Sequence, residues 1–78
     1  MELTCTLAQA QSLRTQIGAQ VVCAWVRDPI DTTKVLIAAL MDPKLGALIV
    51  RFATAADQPT VVQIQAAFTN NTEVAGIS

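Results

Sequence analysis

The carboxylates Asp28 and Asp31 share one short loop, in RDPIDTT, with Arg27 and Lys34 at its ends. A pair so placed could bind a cation or divide acid and base roles. Asp before Pro and Asp before Thr are also turn formers, because the short carboxylate bonds backbone N–H groups just ahead of it. With no third ligand and no apolar pocket beside them in sequence, the pattern favours the turn. Other chemistry is scarcer. The chain has no His and no Tyr, which removes the commonest general base, the commonest zinc ligand and most nucleophilic triads. Its two cysteines, Cys5 and Cys23, are too few for a disulfide framework. Without His they cannot build a usual zinc site, so they read as small buried hydrophobes. Gly18, Gly46 and Gly76 stand too far apart to form a phosphate-cradling loop. No catalytic residue, metal ligand or cofactor site is therefore expected, and the chain is read as not an enzyme.

Composition points the other way, toward contact with partners. Residues 1–78 suffice for a single small domain. A chain of this mass buries only about 60% of its unfolded surface, so most side chains meet the exterior. Yet 53% of the residues are hydrophobic and only 14% are charged, where about 25% charged is usual. Some apolar surface must stay open or be covered by another molecule. Net charge is −1, and the five Lys and Arg are scattered rather than clustered. Nucleic-acid binders need clustered cations to neutralise phosphates, so nucleic acid is not an expected partner. MELTCTLAQAQ is acidic at Glu2 and lacks an apolar core, unlike a signal peptide, which leaves a cytoplasmic location as the default expectation.

The elements that position these residues begin with TLAQAQSLRTQIGAQ. Thr6 with Gln9 three residues on gives a capping box, and Leu7, Ala10, Leu13 and Ile17 keep helical spacing. A helix over residues 7–17 is predicted, with Gly18 as its cap. VVCAWVR, closed by Asp28-Pro29, reads as a strand. In VLIAALMDPKLGALIV, a membrane span fails because Asp42, Pro43 and Lys44 would lie at mid-bilayer. One continuous helix fails at Pro43. Either 34–41 and 47–54 form a hairpin about Pro43-Lys44-Leu45-Gly46, or 31–41 is a helix that crosses to a parallel strand. Asp57 and Pro59 then open a second helix that Asn70-Asn71 ends, and TEVAGIS is a tail or a short edge strand.

The expected fold is thus α+β, a helix, a three-stranded antiparallel meander and a helix (αβββα). The alternative is a small α/β domain with a βαβ crossover. The αβββα order is similar to that of double-stranded RNA-binding domains. Those modules open their second helix with a lysine cluster, and QPTVVQIQ has no positive charge, so the assignment is rejected.

Both alternating sets of VVCAWV are apolar, Val21, Cys23 and Trp25 on one face and Val22, Ala24 and Val26 on the other. An antiparallel sheet with one wet face would alternate cleanly. Two helices can cover one face only, so the expected function is a non-enzymatic protein–protein interaction or self-assembly module, acting as a homodimer or higher oligomer. Trp25, Leu40, Ile49 and Arg51 are the candidate interface residues. A subunit of a larger assembly, such as a phage particle component, and a carrier of a small apolar ligand are the alternatives.

Overall fold

The computed structural model describes residues 1–17, 21–44 and 46–77. Within them the chain runs β1 (Glu2–Cys5), α1 (Leu7–Ile17), β2 (Val22–Arg27), β3 (Val35–Asp42), β4 (Gly46–Phe52), a 3₁₀ turn (Ala55–Asp57), α2 (Val61–Ala67) and β5 (Asn70–Glu73). The strands form one five-stranded mixed sheet in the order β1-β4-β3-β2-β5. β2, β3 and β4 pair antiparallel, while β1 pairs parallel with β4 and β5 parallel with β2. This corrects the αβββα expectation, which has three strands and no parallel pair. The four-residue flanking strands carry little propensity of their own and are fixed by the neighbour to which each hydrogen-bonds. A helix over 31–41 is excluded as well, since Val35–Asp42 is a strand.

The fold-back in VLIAALMDPKLGALIV runs from Ile37↔Arg51 to Asp42↔Gly46. Gly46 has φ of 83°, in the left-handed region where a Cβ is strained, and Asp42 Oδ1 accepts the Lys44 N–H at 2.7 Å. Leu45 and the expected cap at Gly18 lie outside the described residues. No helix among the described residues is long and apolar enough to cross a membrane.

Both helices start with the same device. Thr6 and Gln9 exchange side-chain and backbone bonds at 2.9 and 3.3 Å, and Thr60 and Gln63 do so at 2.9 and 3.1 Å. Each box satisfies two N–H groups that a helix start leaves without partners. The second helix begins at Val61 because Thr60 caps it, not at Asp57 or Pro59 as the proline suggested.

Strand direction explains where the helices lie. β1, β2, β4 and β5 all point the same way, and the crossovers β1-α1-β2 and β4-α2-β5 run in the same direction across the sheet. Parallel crossovers are right-handed, so both helices fall on one face. Ala10 of α1 and Val61, Ile64 and Ala67 of α2 accordingly share a core with Cys23, Trp25, Ala38, Leu40 and Val50. Leu36 is an extra residue at a bulge, because Val26 pairs with Ile37 while Arg27 pairs with Val35. The bulge lets Val35 face the core together with Ala38 and Leu40.

Candidate functional site

The loop carboxylates are occupied locally. Asp28 Oδ1 accepts the N–H groups of Ile30 and Asp31 at 2.7 and 3.1 Å, and its Oδ2 accepts Gln58 Nε2 at 2.8 Å. The Gln58 bond, followed by the two backbone bonds, holds the Asp28 carboxyl below the usual Asp range. Asp31 Oδ1 accepts the hydroxyl and N–H of Thr33 at 2.6 and 3.1 Å, which lowers its pKa too. These bonds shape the turn and brace it against Gln58, at the foot of α2. The C-terminal end of the loop is pinned to the same region by Val35 N–H to Pro59 C=O and Val61 N–H to Thr33 C=O, both 2.9 Å.

The cysteines are free thiols in the core. Burial pushes Cys23 up to about 12, and burial, then the charge of Asp57, raises Cys5. A thiol whose thiolate is this disfavoured is a poor nucleophile. Among the described residues no group of three or more His, Cys, Asp or Glu is placed to hold a metal ion.

The four candidate interface residues divide by face. Trp25 is 2% exposed and Leu40 6%, and both point to the helices, so neither presents a side chain to a partner. Leu40, expected at an interface, lies in the core on the helix side. Trp25 is held there by its Nε1–H bond to Asn71 Oδ1 at 3.3 Å and by the Arg27 guanidinium, 5.6 Å from the ring centre. Ile49 and Arg51 lie on the opposite face, where Arg51 Nε donates to Glu2 Oε1 at 2.8 Å.

Neither helix covers that opposite face, and it is apolar across its middle. Cross-strand pairing aligns Val22 with Met41, Ala24 with Ala39 and Val26 with Ile37. Ile49 continues the Ala24–Ala39 row on β4, and Ala47 continues the Val22–Met41 row. Glu2 and Thr4 border the stripe on β1, Asn70 and Thr72 on β5. Ile37 and Ala39, at the centre, are sealed by their neighbours, whereas Val22, Leu36 and Met41 are 37%, 41% and 41% exposed. The tail residues Ala75–Ile77 line a shallow depression at one end with Leu36, Ile37 and Arg51. The chain thus covers part of the face that the sequence leaves wholly bare.

A second feature lies on the helix side, a cavity of about 200 Å³ where α1 and α2 meet the sheet, lined chiefly by Ala, Leu, Val, Ile and Phe. Sequence reasoning missed it. The available signal was the run of small residues, Ala10, Ala38 and Ala67, at inward positions on three different elements. Comparison with known proteins gives no relative: no family model, no curated protein and no solved structure matches the chain.

Proposed function

We propose that the chain is a non-enzymatic self-assembly module, and that the open sheet face packs against a second copy. The observation that supports this is the apolar stripe of Val22, Ala24, Ile49 and Met41, bounded on both edges by polar side chains. An apolar centre with a polar rim is the usual anatomy of a protein interface. One such patch can be self-complementary about a two-fold axis, which makes a dimer the simplest closed assembly. Five strands about 4.8 Å apart and about six residues long span roughly 400 Å² in plan. Two such faces bury roughly 800 Å² in plan, below the roughly 1,200 Å² at which stable interfaces begin, as fits a dimer that dissociates on dilution.

Sedimentation across a concentration series tests the reading. The wild type should shift from monomer to dimer as concentration rises. Met41→Lys, which leaves the helix face untouched, should hold the chain as a folded monomer. A wild type that sediments as a folded monomer up to about 1 mM would defeat the proposal, since even weak specific association reaches that range.

A further inference from the structure

The cavity on the helix side supports an inference independent of the open face. Its walls converge from α1, α2, β3 and β4, with Ala10 on α1, Ala38 on β3 and Ala67 on α2 leaving the space and Leu40, Val50 and Phe68 beside it. No Lys, Arg, Asp or Glu lines it among the described residues. Gln11 and Gln63 are its polar lining residues among those described. Gln63 Oε1 already accepts the Thr60 N–H at 2.9 Å, so what it can offer a guest is its N–H₂ group.

Size and chemistry together define the guest. A dry cavity of about 150 Å³ lined by aliphatic and aromatic side chains accepts benzene, so about 200 Å³ accommodates roughly eight non-hydrogen atoms. A carboxylate would lose its hydration, and no cation stands among the described lining residues to replace it, whereas a hydroxyl can bond an amide. We propose that this cavity is a binding site for a small neutral amphiphile, an apolar body of about seven carbons carrying one hydroxyl or similar uncharged group.

The probes are 1-heptanol and hexanoate, equal in non-hydrogen atoms and different in charge, titrated into the full chain and followed residue by residue by NMR. Heptanol should bind one to one and saturably, with a dissociation constant of about 1 mM or tighter. Shifts should centre on Ala10, Ile64 and Phe68, and hexanoate should bind at least about tenfold more weakly. Ala10→Phe and Ala67→Leu fill the space from opposite helices. Whichever of them stays folded should lose heptanol binding by about tenfold or more, and Ile49→Lys, on the far face, should retain it. The site is overturned by absence of saturable binding, by equal binding of hexanoate, by undiminished binding in a folded filled variant, or by shifts centred on Ile49 and Met41. The titration of the wild type decides the matter even if both filled variants misfold, and it is read separately from the association state.

Discussion

On the helix side of β3, Ala38 and Leu40 are 2% and 6% exposed; on the other side Ile37 and Ala39 are buried as well, at 5% and 7%, and Met41 toward the turn is 41% exposed. Composition does not separate these faces, because β2, β3 and β4 carry apolar residues on both. What separates them is the connectivity. Two crossovers in the same direction and of the same hand lay both helices on one side, and on the other the short tail and the segment after β4 border one end of the sheet. A strand that is apolar on both faces therefore announces burial on both. Which face the chain buries for itself depends on elements far away in sequence.

The sharpest way to break this comparison is to put the same charge on each face. Leu40→Lys places an ammonium in the core with no partner, which costs several kcal/mol, of the order of the whole stability of a small domain. It should leave the chain unfolded by circular dichroism. Ile49→Lys lies on the adjacent strand and points to the open side. It should keep a native spectrum, and on the proposed reading it should weaken association. A folded Leu40→Lys would show that the inward face is not the core.

Trp25→Ala tests the helix side at its largest buried residue. It removes the ring whose N–H the Asn71 Oδ1 accepts and over which the Arg27 guanidinium lies. Truncations of this kind cost about 3 to 5 kcal/mol, which a urea midpoint will read directly. A loss below about 1 kcal/mol would mean that the ring is not packed as described.

The turn joining β3 and β4 comes next. Gly46→Val forces a β-branched residue to φ of 83°, and the strain should cost about 1 to 3 kcal/mol. A Cβ there meets no other atom within 4 Å, so the loss is conformational and Gly46→Asn, which tolerates this region, should recover part of it.

These particulars show how far the sequence could be read. Helix α1 was legible because Thr6, Gln9 and the apolar positions agree with one another. The turn was legible because a glycine after Pro43-Lys44 has few other uses. β1 was not, although Glu2-Leu3-Thr4-Cys5 alternates, since four residues are too short a pattern to stand out. β5 reads Asn-Asn-Thr-Glu, residues poor in strand propensity. It is a strand because β2 offers it a parallel ladder and because Asn71 accepts from Trp25 and donates to the Phe68 carbonyl at 2.8 Å. The capping box at Thr60 and Gln63 was present in the letters and was passed over in favour of Pro59. The cavity was out of reach, because an alanine signals empty space only once its neighbours are known.

Acid should act on the loops at the helix-side end of the sheet. The carboxyls of Asp28, Asp31 and Glu73 are all held below their ordinary range, by the Gln58 amide, the Thr33 hydroxyl and the Arg27 guanidinium respectively. The unfolded chain therefore takes up protons at higher pH than the folded one. Their contribution is complete above about pH 5 and is lost as pH falls through about 4 and below. The urea midpoint should stay level from pH 7 to 5 and fall from pH 4 to 3. Asp28→Asn should start lower at pH 7 and lose less over the acid range, and an equal acid slope would remove Asp28 from the account.

The smallest expected difference lies between two arginines, one on each side. Arg51 bonds Glu2 on the open face, with both side chains more than half exposed at 54% and 62%. Water screens such a pair, and holding two long side chains in one geometry offsets what remains, so Arg51→Ala should cost about 0 to 1 kcal/mol. Arg27 also bonds a glutamate, with Nε and an Nη of the fork on the two oxygens of Glu73 at 3.1 and 3.2 Å. It further donates to the Thr32 carbonyl at 2.7 Å and lies over the Trp25 ring. Because one guanidinium there closes the loop, the β5 edge and the lid over Trp25, Arg27→Ala should lower the melting temperature more than Arg51→Ala. Arg27→Lys should recover little, since an ammonium cannot reproduce the bidentate fork or stack as a plane. Equal melting temperatures for the two alanine variants would reduce Arg27 to an ordinary surface ion pair.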